Sequence, residues 1–380
     1  MPPHESTIKE ISVRSRNLLA LAAAGVLAVG AAACGSSSSS STSSSSTKKV
    51  GGTISGAGAT FPQPVYDEWG NRFKSQTGTT VNYNPIGSGG GIAQFTSGTV
   101  DFGATDSAMK DAEVAAATKK GQPVHVPTVF GAITVSYNVS GIDKGLKLDG
   151  ATIANIFLGK IKKWNDPAIK ALNPGKTLPA TAITVVHRSD ESGTTKLFTT
   201  FLQDTSPTWA KQVGSDKTVK WPTGTGAAKN AGVAAAVKQT DGAVGYVEQA
   251  YALQNNFTTA DVKNKAGQYV APTLASTTAA GQGLTFPPDL RFSAINKSTN
   301  PQAYPIASAT FLLVYKDQCK AGKPQNTAQL VVNWLNYALT GGQQVAPELQ
   351  YAPLPANILA PAKAAVAGLV CNGTPLKPSA

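Results

Sequence analysis

From about residue 50 to the C-terminus, short runs of β-branched and aromatic residues alternate with stretches of helical periodicity. Few architectures accommodate that alternation. Strand-like runs at 50–54, 81–83, 183–187, 243–247 and 310–315 are separated by helical stretches at 60–76, 92–95, 152–158, 194–202, 227–237 and 325–339. The stretch 124–139 is long enough for one extended element or two. Strands interleaved with helices predict an α/β protein with largely parallel sheets. About 330 residues follow residue 47, more than one hydrophobic core usually serves, so two lobes are expected. In such sheets ligands bind at the carboxyl ends of strands, where turns lead into helix N-termini.

The first fifty residues read differently. Arg14 and Arg16 precede an apolar run at 18–29 that ends in Ala31-Ala32-Ala33-Cys34. A basic region, a short apolar stretch and a small-residue cleavage site describe a secretory signal peptide over 1–33. The run is shorter than the roughly 20 apolar residues that a membrane-spanning helix needs. Small residues followed by Cys34 make a bacterial lipobox, although Ala31 stands where a branched residue is more usual; the alternative is plain secretion. Residues 35–47 are nearly pure Ser and predict a flexible tether, averaging about 20 Å in reach. With Cys34 assigned to lipid, Cys319 and Cys371 remain. In an oxidising compartment a disulfide between them is the natural reading, and two separate buried thiols the rival. The formal charge is +12, but the basic residues are scattered, with no aromatic-interleaved basic strip for nucleic acid.

Three turns share one chemistry, with Gly, Ser and Thr at the start of a helix: residues 56–62, 87–91 and 188–195. Helix N-termini leave N–H groups unpaired and carry partial positive charge. Glycine admits an anion close to the backbone, and hydroxyls add donors. Each turn alone is equally a structural cap. Arg188, just before the third turn, can grip an oxyanion through its guanidinium or stand on the surface. Asp106 follows a strand-like segment and precedes a helical stretch at 108–119, where it is either a site carboxylate or an N-cap.

Taken in order, these stretches resemble the phosphate-binding receptors of Pst-type phosphate ABC importers. The resemblance is carried by GAGATFPQPVYDEW at 56–69, VNYNPIGSGGG at 81–91, VDFGATD at 100–106 and LGKIKKWNDPAI at 158–169. It continues in RSDESGTT at 188–195, VKWPTGTG at 219–226 and GAVGYVEQAYA at 242–252, with the poorest match near 255–285. The resemblance implies a two-lobed periplasmic-binding-protein clamshell of α/β class, one lobe being discontinuous. That lobe would comprise 48–136 plus 305–380, the other 137–304, with hinges near Tyr137 and Pro305. The Cys319–Cys371 bond would lie in the discontinuous lobe.

Carried over residue by residue, the resemblance makes Thr60, Phe61 (through its N–H) and Ser88 donors to phosphate, and Asp106 the acceptor of the phosphate's own proton. Arg188, Ser192, Gly193 and Thr194 would close the cage from the other lobe. Asp190 would hold Arg188 in place or cap the helix. Two departures stand out: Gly89 where a second Ser is usual, and Glu191 where Gly is common. An ionised Asp106 can accept a P–OH but would face sulfate with no proton between them. The implied partners are inorganic phosphate, the membrane permease subunits and a lipid anchor on the extracytoplasmic face of the cell membrane. The receptor is expected to be a monomer without nucleic acid, cofactor or metal. No H-E-x-x-H or G-x-S-x-G follows the leader, so the usual metallohydrolase and serine-hydrolase signatures are missing and no enzyme is expected. His187 beside Arg188 is the one candidate base, and a histidine at a strand end is more often structural.

Overall fold

The computed structural model describes residues 51–379; the expected leader at 1–33, Cys34 and the serine tract lie outside the described residues. Strands β1 (Gly52–Gly58), β2 (Thr79–Asn84), β3 (Phe102–Thr105), β4 (Pro123–Asn138), β5 (Thr184–Arg188), β6 (Thr225–Ala227), β7 (Ala243–Glu248) and β8 (Ala307–Tyr315) form one curled sheet. Their order is β2-β1-β3-β8-β4-β7-β5-β6.

One strand joins the two lobes. Residues 123–132 of β4 pair antiparallel with β8, and residues 133–138 pair antiparallel with β7. β4 is buried without a break from His125 to Tyr137. Such a run carries no inside–outside alternation because both faces are covered. The stretch left open as one element or two is therefore a single strand. Beside the exchange point the chain returns: Ile133 N–H donates to Ile306 O at 2.7 Å, and the Tyr304 hydroxyl donates to Ile133 O at 3.0 Å.

The sheet is less parallel than the alternation suggested. β1 is parallel to β2 and β3, and β5 is parallel to β6 and β7. β8 runs antiparallel to both β3 and β4. The strands at the junction are those that carry the chain out of one lobe and back, and each return reverses direction.

Helices cover the sheet for ordinary reasons. α1 (Gln63–Thr77) buries Val65, Tyr66, Trp69 and Phe73, which fall on one face at helical spacing. They pack with Trp334 and Tyr337 of α6 (Gln325–Ala338). Full burial of such side chains stabilises by roughly 1.5–3 kcal/mol each. α2 (Ser88–Ser97), α3 (Asp111–Thr118), α4 (Gly193–Thr205) and α5 (Lys229–Gln239) complete the frame of the site. The start of α2 is pressed onto β1: a Cβ on Gly91 would lie 2.4 Å from the Gly58 Cα, so only glycine fits. At the far end, Cys319 and Cys371 are joined in a disulfide with Cα atoms 4.8 Å apart, which sets aside the two free thiols.

Candidate oxyanion-binding site

Five strand ends converge between the lobes. The turn from β1 to α1 brings Thr60 and Phe61, that from β2 to α2 brings Ser88, and the end of β3 delivers Asp106. From the other lobe, the turn from β5 to α4 supplies Arg188, Ser192, Gly193 and Thr194, and the turn from β6 to α5 adds Asn230. All ten are buried.

Asp106 is the hub. Its Oδ1 accepts a hydrogen bond from the Thr310 hydroxyl at 2.9 Å. Its Oδ2 stands 3.5 Å from Ser88 Oγ and 3.5 Å from Thr194 Oγ1, one hydroxyl from each lobe. It does not cap the following helix, whose N-cap is Lys110, with Glu113 accepting from the Lys110 N–H at 2.7 Å. Burial pushes the Asp106 carboxyl up to about 7, outweighing the opposing pull of the Thr310 hydroxyl and the Arg188 charge. The group therefore exchanges its proton near neutrality.

Arg188 is fully committed on one side. Its Nε and Nη2 donate to the two oxygens of Asp190 at 2.7 and 2.5 Å, leaving Nη1 buried without a protein partner. Burial alone would raise the Asp190 carboxyl, but the Arg188 contact holds it below its usual value. Asp190 also accepts from the Lys229 N–H at 2.9 Å, so it fixes Arg188 and steadies the start of α5 together. The cap of α4 is Ser192, whose Oγ accepts from the Thr195 N–H at 3.1 Å. Gly193 is where the lobes meet: a Cβ there would lie 2.5 Å from Ser88 Oγ and 2.7 Å from Asp106.

Glu191 and Gly89, the two departures from the receptor pattern, touch each other. A Cβ on Gly89 would lie 2.1 Å from Glu191 Oε2, so the glutamate lies where a serine side chain would begin. The Gly89 N–H donates to Glu191 O at 3.1 Å, a backbone bond between lobes. The Glu191 carboxylate is half exposed and turns toward Lys217, with Oε1 3.8 Å from its Nζ. Lys217 is buried and pairs with Glu113 of α3 in the opposite lobe.

Sequence reasoning missed Asn230 and Thr310. Thr310 reaches Asp106 only through the pairing of β8 with β3, which no local motif announces. Asn230 left a signal, since it lies at the start of a fourth strand-to-helix turn just after the motif at 219–226. His187 stacks on Trp221 with ring centroids 4.7 Å apart. The buried His125 accepts from the Met109 N–H at 3.1 Å. Among the described residues no group of three or more His, Cys, Asp or Glu is placed to hold a metal ion. Hydroxyls, helix starts and a guanidinium surrounding one carboxyl suit a small oxyanion that brings its own proton.

Known proteins show the same frame. The PBP superfamily domain matches residues 42–340. The chain is 44% identical over 309 residues to the phosphate-binding protein PstS of Pasteurella multocida, covering 81% of this chain and 88% of that protein. It is 37% identical to the phosphate-binding protein PstS of Methanocaldococcus jannaschii, covering 77% and 79%. Among solved structures, a phosphate-binding protein from Stenotrophomonas maltophilia superposes with a TM-score of 0.61 at 20% identity, covering 82% of this chain and 93% of that one. A putative phosphate transporter substrate-binding protein from Clostridium perfringens, solved with bound phosphate, superposes with a TM-score of 0.58 at 17% identity, covering 80% and 100%. At these identities the superpositions speak for the fold.

Proposed function

The chain belongs to the PBP superfamily and, within it, to the PstS-type phosphate-binding receptors, and from that premise we propose that it captures inorganic phosphate between its lobes for an ABC-type importer. The observation that carries the reading is the single carboxyl, Asp106, set among donors from both lobes. Thr60, Phe61, Ser88, Arg188, Ser192, Gly193 and Thr194 supply donors, and Asp106 chooses the anion. Each oxygen of an enclosed anion loses its water and needs hydrogen bonds in return. Phosphate at neutral pH keeps at least one proton, which can lie between its oxygen and Asp106. Sulfate brings none, so it binds only where Asp106 supplies the proton itself.

The lobes divide in this reading as 48–136 plus 305–380 and 137–304. Export by the leader and lipidation at Cys34 would hold the receptor on the extracytoplasmic face of the membrane, beside the permease subunits that accept its cargo. It acts as a monomer. A receptor is favoured over a hydrolase because the two histidines of the folded body are engaged, His125 by the Met109 N–H and His187 by Trp221. Closure around the ligand would give the permease a shape that distinguishes loaded from empty.

The test is titration calorimetry on a soluble form beginning near Lys48, stripped of phosphate by unfolding and refolding. The expected result is tight one-to-one binding of phosphate, weak sulfate binding at pH 8, and loss of phosphate binding on Arg188→Ala. Equal binding of both anions at pH 8 would remove Asp106 as the selector. Binding of neither would overturn the receptor reading.

A further inference from the structure

Asn230, the second residue of α5, is fully buried and touches both lobes. Its Nδ2 donates to Thr60 Oγ1 at 2.9 Å and stands 3.4 Å from Thr194 Oγ1. Its backbone N–H also reaches Thr60 Oγ1, at 3.3 Å. On the other side, Oδ1 accepts from the Glu248 N–H at 3.1 Å. That last bond fixes the amide's orientation, because a backbone N–H can only meet the oxygen. The NH2 must then face the threonines.

A threonine hydroxyl has one proton to give and two lone pairs to receive with. Thr60 Oγ1 receives twice from Asn230, which fills both lone pairs. Its hydroxyl is left able only to donate. Thr194 is biased the same way by the longer contact. We propose that Asn230 is a positioning residue that locks the Thr60 and Thr194 hydroxyls, one from each lobe, as donors to the bound oxyanion. This rests on the oxyanion reading of the site. A hydroxyl free to rotate could also accept a P–OH and so compete with Asp106 for the ligand's proton. With the hydroxyls locked, Asp106 is left to read that proton, and selection follows from the amide as well as from the carboxyl.

The experiment is a double-mutant cycle on phosphate affinity, with Asn230→Ala made in the wild-type protein and in Thr60→Val. If Asn230 works through the hydroxyl, Asn230→Ala weakens phosphate binding by about ten- to a hundredfold in wild type. In Thr60→Val, where no hydroxyl remains to be set, the same change costs at least about fivefold less. Equal factors in both backgrounds would mean that Asn230 acts only as packing and would overturn the proposal. Asn230→Asp guards against misfolding, because it keeps the side-chain shape and the Glu248 contact but offers the threonines an acceptor. It is expected to bind phosphate more weakly than Asn230→Ala at pH 8, and wild-type affinity there also overturns the proposal. Thermal melts of the phosphate-free variants report folding independently. Failure of the wild-type protein to bind phosphate would sink the receptor reading itself, whereas a binding wild type with an additive cycle removes Asn230 alone.

Discussion

A carboxyl buried among hydroxyls has two ways to meet an oxyanion, and Asp106, pushed up to about 7 by burial, sits near the pH where they exchange. Below that pH it carries a proton and can donate it; above, it is charged and can only accept. Sulfate affinity should therefore fall by about tenfold per pH unit above 7, while phosphate, which keeps a proton across this range, holds its affinity. Calorimetry with both anions at pH 5.5, 7 and 8.5 measures this, and Asp106→Asn should flatten the sulfate profile. In the phosphate-free protein the same raised carboxyl contributes to the stability of the fold fully only below about pH 4, and that contribution is lost as pH rises through about 7. At Gly89 the prediction is steric. Gly89→Ser alone should weaken phosphate binding only about two- to threefold, because its Cβ meets the half-exposed Glu191 side chain, which can swing aside and give up its approach to Lys217. Adding Glu191→Gly should restore most of the loss, which affinity measurements on the two variants will test.

At the scale of elements, the lobes are tied by contacts away from the ligand. Lys110 at the start of α3 reaches Asp216 at 2.6 Å, but both are exposed. Lys217, two per cent exposed, pairs with Glu113 of the same helix. An exposed pair contributes about 0–1 kcal/mol, whereas breaking a buried one strands a charge. Glu113→Gln is therefore expected to speed phosphate release about tenfold, and Lys110→Ala to leave it within about twofold; stopped-flow displacement separates them. The elements also mark what the sequence could disclose. The turns at 56–62, 87–91 and 188–195 were legible because a helix start writes its needs into adjacent Gly, Ser and Thr residues. Thr310 was not, because it lies 204 residues from Asp106 and reaches it by strand pairing. Strand direction was hidden too: the unbroken apolar run of β4 reports burial on both faces but not which neighbours run against it.

For the whole molecule, the disulfide joins two residues that are not part of the site. Cys319 and Cys371, 52 residues apart, close a loop worth about 4 kcal/mol in the chain-entropy model. Reduction should lower the melting temperature of this body by about 6 °C without changing phosphate affinity at 25 °C, as scanning calorimetry and titration with and without reductant will show. Two lobes were legible from length and alternation, and a crossover strand near Tyr137 from the resemblance; where that strand changes partner was not, since the exchange between Ala132 and Ile133 falls inside a uniform hydrophobic run. That shared strand has a mechanical consequence. A linker between domains lets them swing freely, but β4 is bonded into the sheet on both sides of the junction. Opening must then be absorbed as twist over the few residues where β4 changes partner. The receptor behaves as a torsion spring with a preferred angle, and the ligand works against its stiffness rather than against the random motion of two bodies on a cord.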